Sequence, residues 1–399
     1  MFKEYVEKLG KIIEKFLQEH FDKKNVFRSV NFLLFIVALS ALYINVSTCA
    51  RVFRDVPVQE RASRAAMAVM SSRFYASGPL EPVPVFALKV PMMFSKKDPL
   101  AIQRAEGCIV FILLFFVYME VVRRRIPAPA AYYSAVLFAG IPWLGYYAMT
   151  GSAFLFAMLF LMLYWDCADP SRINMRRAAL AGLFAAAACL SRTESIFFIL
   201  INTLFYIPEY RTGKMSRNIA VMFGTMLFLA APYYIWQKIY FGYTFYGQEM
   251  GLTRLINAEI QNTAVAKNYI EQPTGLFAFL FRDGFVAGLA APFRGLIRAL
   301  SYEMPRTIYY KTAVFLAFMG FYFAFRDGRK AVFSLWLPAF IPVCFFAAMN
   351  IVQVDGGIPL EYYLIAVPGI VAAAGYGLYE LSQMLAAWIS RRYPDAGIR

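Results

Sequence analysis

Asp55 stands in Arg51-Val-Phe-Arg54-Asp55-Val-Pro, a few residues after a long apolar run ends, and Glu60 follows five residues on. A carboxylate held near a membrane plane among arginines can act as a general base. It would take the proton of an acceptor hydroxyl attacking a sugar carbon whose leaving group is a phosphate. Arg54, Arg61 and Arg64 stand close by in sequence. Their planar guanidinium forks suit phosphate oxygens and would neutralise the charge developing there. The competing reading is an ion pair on a solvated surface. A second constellation, Cys189-Leu-Ser-Arg192-Thr-Glu194-Ser, sets an arginine and a carboxylate at the junction of two apolar runs. Charges at such a boundary are costly unless paired or functional, and pairing between neighbouring helices is the simpler account. A third, Pro232 to Tyr246, is dense in aromatics and includes Tyr243 and Tyr246. It reads either as an interfacial belt or as a wall for a sugar or lipid.

Other chemistries are excluded by residue type. The single histidine, His20, lies in a charged segment before any apolar run. No histidine triad, histidine-ligated zinc or bis-histidine haem can be built from it. Cys49, Cys108, Cys167, Cys189 and Cys344 form no CxxC pair and sit mostly in apolar runs, which reads as packing rather than a disulfide framework or cluster. The sequence supplies no compact metal-ligand set, and a divalent cation is left open.

The elements that must position these residues are membrane helices. Of 399 residues 60% are hydrophobic, 18% aromatic and 16% charged, with a mean hydropathy of +0.53. A soluble domain is about half apolar and about a quarter charged, so the composition requires an integral membrane protein. Apolar runs of span type are Asn31–Thr48, Gly107–Val122, Ala130–Met149, Ser152–Trp165, Ala178–Leu190, Ser195–Ile207, Ile219–Trp236, Thr312–Phe325, Val332–Met349 and Tyr362–Trp388. The expectation is an all-α polytopic protein with about ten transmembrane helices, some of which borrow flanking residues to reach the ~20 needed. Basic clusters follow alternate runs: Arg123–Arg125, then Arg172, Arg176 and Arg177, then Arg211, Lys214 and Arg217, then Arg326, Arg329 and Lys330, and finally Arg391 and Arg392. The positive-inside rule then sets both termini in the cytoplasm. The net charge of +15 is read as orientation and headgroup contact, not nucleic-acid binding.

Residues 1–29 carry Val6, Leu9, Ile13 and Phe16 at helical spacing among lysines and glutamates. This predicts a cytoplasmic amphipathic helix, too polar for a signal peptide, that lies on the membrane or docks a partner subunit. Residues 30–399 form the transmembrane domain, with two long outer segments at 49–106 and 237–311. The first holds nine basic residues against five acidic ones, Asp55, Glu60, Glu81, Asp98 and Glu106, on the side that short loops keep poor in lysine and arginine. Glu60–Met70, Val83–Phe94 and Leu276–Ile297 read as helices lying in or re-entering the interface.

These pieces, in this order, resemble the GT-C superfamily of membrane glycosyltransferases, protein O-mannosyltransferase-like and aminoarabinose transferase-like enzymes among them. One span, a long outer loop with an acidic residue just past the membrane, and a second span match Cys49 to Glu106. Leu180 to Glu194 is similar to the family's small-residue helix ending in Leu-Thr-Arg-Pro-Glu, with Thr193 in place of proline. Pro232 to Tyr246 is similar to a Pro-aromatic stretch ending in Tyr-Phe-Gly. Tyr362-Tyr-Leu-Ile-Ala-Val-Pro-Gly is similar to the family's last helix, with Glu361 near the usual arginine. The first loop lacks the family's paired carboxylates.

The resemblance implies a GT-C-like fold and transfer of a sugar from a polyprenyl-phosphate donor to a glycan, lipid or protein acceptor. The reaction would take place at the outer face of the plasma membrane. Asp55 is the favoured base with Glu60 in reserve. Arg54, Arg61, Arg64 and Arg192 are assigned to the donor phosphate, and Glu194, Tyr243 and Tyr246 to substrate. Two other classes stay open: a lipid-linked-sugar transporter, which calls for charged residues lining a path through the spans, and an inactive GT-C-like subunit of a complex.

Overall fold

The computed structural model describes residues 30–53, 81–94, 98–210, 213–245, 281, 284–349 and 360–392. The amphipathic segment 1–29 and the Glu60–Met70 helix lie outside them. The helices in chain order are α1 (Val30–Val52), α2 (Pro82–Phe94), α3 (Pro99–Arg123), α4 (Ala128–Gly140), α5 (Pro142–Thr150), α6 (Ala153–Cys167), α7 (Met175–Cys189), α8 (Ser195–Phe205), α9 (Gly213–Phe241), α10 (Phe285–Arg298), α11 (Met304–Ile308), α12 (Lys311–Arg326), α13 (Lys330–Met349) and α14 (Val367–Arg392). A single helical turn, Ile207–Tyr210, lies between α8 and α9, a π-turn, Ala299–Glu303, joins α10 to α11, and a 3-10 segment, Leu360–Ala366, precedes α14. There is no strand among the described residues, as expected where every backbone group must be satisfied within its own segment.

Each of the ten apolar runs is helical, but Ala130–Met149 is not one helix. Pro142 lacks an amide hydrogen and forces Ile141 into an extended conformation, because proline excludes the helical region for the residue before it. The carbonyls freed at the break are taken by α1: Asn45 Nδ2 donates to Ala139 O at 2.8 Å and to Ile141 O at 2.7 Å. A second break follows at Gly151, whose φ of 69° is the left-handed region that glycine tolerates. Here α5 and α6 meet at 116°. By length and composition four described helices can cross a membrane: residues 31–52, 99–123, 216–241 and 363–388. The count becomes five if α5 and α6 make one broken span.

The basic clusters gather at one end of the bundle. Arg124 pairs with Glu120 at 2.9 Å and with Asp166 at 3.2 Å, and Asp166 also binds Arg177. Arg125 pairs with Asp169 at 3.3 Å and covers the Trp165 ring, while Trp165 Nε1 donates to Ser334 Oγ at the start of α13. Arg326 binds Asp327, which accepts a hydrogen bond from Tyr376 on α14. Phe35, near the start of α1, packs on Tyr132, so α1 begins at this end too. Its far end reaches the other pole, where Phe53 meets Tyr146.

Close helix contacts are made through small residues. Gly320 of α12 faces Ala373 and Gly377 of α14, and a Cβ at Gly320 would overlap the Ala373 carbonyl. Such approaches supply much of the packing between membrane helices. Gly320→Leu is therefore expected to cost at least ~1–3 kcal/mol of overpacking, read as a fall in thermal midpoint in detergent. Gly224→Ala, with open space around the new methyl, should leave the midpoint unchanged or raise it. Equal midpoints for Gly320→Leu and the parent would contradict the α12–α14 contact.

Candidate functional site

The pole opposite the basic clusters carries a buried polar cluster built on the turn between α7 and α8. About half of helix α7 is alanine and glycine, and its Gly182 lies against Met222 of α9, so the two helices run close together. The helix ends where Ser191 turns its hydroxyl back onto Ala187 O at 2.7 Å, a local bond that competes with helix continuation. Arg192, Thr193 and Glu194 form the turn, and α8 restarts at Ser195.

On that turn Arg192 pairs with Glu194 at 3.0 Å, both side chains mostly enclosed, and the guanidinium lies 4.0 Å above the Phe154 ring. Thr193 is fixed from both sides. Its amide donates to Glu81 Oε1 at 3.3 Å, and Tyr234 of α9 hydrogen-bonds its hydroxyl at 3.2 Å. Tyr234 also donates to Cys189 O. The neighbouring Tyr233 accepts Gln237 Nε2 at 2.6 Å, both residues being fully enclosed.

Glu81 reaches this cluster because Pro82 and Pro84 open α2 rigidly and are themselves buried. Val83 N donates to Leu190 O at 3.1 Å, clamping the start of α2 to the end of α7. Glu81 is thereby 7% exposed. Burial pushes its carboxyl up to about 7, with Arg192 pulling it down and Glu194 adding to the rise. A carboxyl taken out of water favours its neutral form.

A narrow crevice opens beside the turn. Phe154, Ala157, Met158, Pro342 and Ile365 give it apolar walls, and Arg192, Glu194 and Ser195 form its polar side. Glu194 Oε2 and Ser195 Oγ are buried without a hydrogen-bond partner. Such atoms in apolar surroundings carry a desolvation cost, and a bound polar group would relieve it.

Across the 3-10 segment lies a second cluster. Glu303, at the end of the π-turn, is fully enclosed and pairs with Arg298 at 3.2 Å. Burial raises its carboxyl above the ordinary range, with Arg298 opposing. Arg306 lies over Tyr302, and Trp143 of α5 donates to its carbonyl. No group of three or more potential metal ligands occurs among the described residues.

Of the residues expected at a site, Arg192 and Glu194 are brought together. Tyr243 is half-buried beyond the end of α9, and no described contact ties it to Arg192. Arg54, Asp55, Glu60, Arg61, Arg64 and Tyr246 lie outside the described residues. Sequence reasoning missed Glu81, counted there only as an outer-loop acid, and it missed Phe154 as a wall. A carboxylate directly before Pro-Val-Pro and an apolar stretch was the available signal for Glu81.

No family model matches the chain, and no curated protein matches it. Among solved structures it is similar to the archaeal oligosaccharyltransferase AglB from Archaeoglobus fulgidus in complex with an inhibitory peptide and a dolichol-phosphate. The TM-score is 0.49 and the identity 13%, over 89% of this chain and 52% of that one. The chain thus spans about half the length of that protein. The functional reading rests on this chain's own residues.

Proposed function

We propose that the protein is a GT-C-like membrane glycosyltransferase that moves a sugar from a polyprenyl-phosphate donor to an acceptor at the outer face of the plasma membrane. The observation that carries the reading is Arg192. It is an arginine paired with Glu194, lying over an aromatic ring and beside a narrow crevice with apolar walls. Holding a guanidinium there is costly, and a phosphate with an apolar tail is the ligand that uses both features. The glycosyltransferase resemblance of Leu180–Glu194 and Pro232–Tyr246 falls on the same turn and the same aromatic stretch.

In this reading the acceptor hydroxyl attacks the anomeric carbon as the bond from that carbon to the phosphate oxygen breaks. Asp55 takes the hydroxyl proton, with Glu60 in reserve, and polyprenyl phosphate leaves. Arginine neutralises the charge that develops on the leaving group. Direct displacement inverts the anomeric carbon.

The reading requires the pole with Arg192 to face outward and the pole with Arg123–Arg125 to face the cytoplasm. Helix α3 has 25 residues and so a length of about 37 Å, and in sequence Lys96 precedes its start while Arg124 follows its end. Single cysteines at the two positions should label from opposite sides, position 96 from outside intact cells and position 124 only after permeabilisation. Labelling of both from one side would contradict the assignment. Transfer itself is read as acceptor-dependent release of polyprenyl phosphate.

A further inference from the structure

The crevice beside the α7–α8 turn carries two oxygen atoms that bond to nothing among the described residues. Ser195 opens α8 and is 1% exposed, and its Oγ has no hydrogen-bond partner there. In Glu194, Oε1 accepts the Arg192 guanidinium at 3.0 Å, while Oε2 is buried and unpaired. The two free atoms do not bond each other, and both residues line the same crevice. A group that satisfies both must donate to the carboxylate and accept from the serine hydroxyl. A hydroxyl does both. An ammonium would leave the serine proton without an acceptor, and a carbonyl or phosphoryl oxygen would leave the carboxylate without a donor.

Resting on the glycosyltransferase reading, though not on which arginine holds the phosphate, we infer that Glu194 and Ser195 bind the primary hydroxyl of the donor sugar. The sugar transferred is then a hexose with a free hydroxymethyl group, not a pentose or a 6-deoxy sugar. The shape of the crevice selects that hydroxyl. Its other walls are Phe154, Ala157 and Met158 of α6, Pro342 of α13 and Ile365 of the 3-10 segment, all apolar. A hydroxyl on a ring carbon brings the ring with it. A hydroxymethyl arm is slim, with a methylene for the apolar walls and a hydroxyl for the polar side. The two partners are also held in place. The Ser195 amide is tied to Arg192 O at 3.0 Å, and the ion pair fixes Glu194, so little side-chain freedom is lost when the hydroxyl enters.

The test uses the full chain in lipid nanodiscs and farnesyl phosphoryl sugars in matched sets. Glucose is set against xylose and mannose against lyxose, each pair differing only in the hydroxymethyl group. The 6-deoxy forms of both hexoses keep the carbon and lose only the hydroxyl. Wild type should bind at least one hexose donor about ten- to a hundredfold more tightly than its pentose and 6-deoxy counterparts, the scale of a hydrogen bond to a charged group. Ser195→Ala should lose most of that preference. Two results would overturn the inference. One is equal wild-type affinity for hexose, pentose and 6-deoxy donors, as when a water fills the crevice instead. The other is a Ser195→Ala variant that binds all of them more weakly but keeps the hexose preference, the mark of a purely structural serine. The wild-type comparison needs no variant, so it decides the matter even if Ser195→Ala does not fold. Failure of every donor to bind wild type is a different result, and it would remove the transferase reading together with this inference.

Discussion

Asp55→Asn is expected to insert, fold and bind donor like the parent and to turn over about a hundred- to ten-thousandfold more slowly, the usual cost of losing a general base. Helix α1 ends at Val52, and Phe53 is pinned against Tyr146 at the pole opposite the basic clusters with ring centroids 4.8 Å apart. Asp55 follows that contact by two residues in sequence, which makes it the favoured base. Glu60 is farther along and has a local partner on offer in Arg64, four residues on. Asparagine keeps the size of Asp55 but cannot take a proton near neutral pH. Glu60→Gln should cost less. Normal turnover in Asp55→Asn with none in Glu60→Gln would exchange the two roles. Normal turnover in both would remove the base-assisted displacement.

Arg192→Ala should weaken donor binding by about ten- to a hundredfold, since a hydrogen bond to a charged group contributes ~1.5–3 kcal/mol. It also strands Glu194, whose Oε1 loses its partner at 3.0 Å and whose Oε2 already has none. Arg192→Lys restores the charge but not the fork and should recover only part of the loss. The stack on Phe154 is also weaker for an ammonium group. Equilibrium binding of a polyprenyl-phosphate donor is the measurement. Unchanged affinity in Arg192→Ala and in the alanine variants of Arg54, Arg61 and Arg64 would move the phosphate across the 3-10 segment to the cluster of Arg298 and Arg306.

Much of the fold was legible because its signals are local. Each apolar run is helical, and the described arginines of the clusters that alternate along the chain meet at one pole, with Arg124 and Arg177 sharing Asp166 and Arg326 paired with Asp327. The break at Ile141 was not legible. Hydropathy is continuous across Pro142, and the bonds that make the break tolerable come from Asn45, 96 residues from Ile141. Half of the candidate site could be read for the same reason. Arg192 and Glu194 are two residues apart, so their pairing is visible in the sequence. Glu81 meets Thr193 across 112 positions, and Tyr234 meets it across 41. Neither distance leaves a periodic trace, and it is these contacts that turn a helix-end ion pair into an enclosed cluster with an acid of raised affinity for its proton.

The central claim is that this chain transfers sugar from a lipid-linked phosphate. Its most direct test is release of polyprenyl phosphate by the purified protein from a polyprenyl-phosphate sugar, with and without a hydroxyl acceptor. The account predicts release that depends on acceptor, yields one inverted glycoside per polyprenyl phosphate freed, and falls at least about a hundredfold in Asp55→Asn. Donor that binds at Arg192 but is returned intact in every acceptor mixture, or is carried across a vesicle membrane without loss of its sugar, would contradict it.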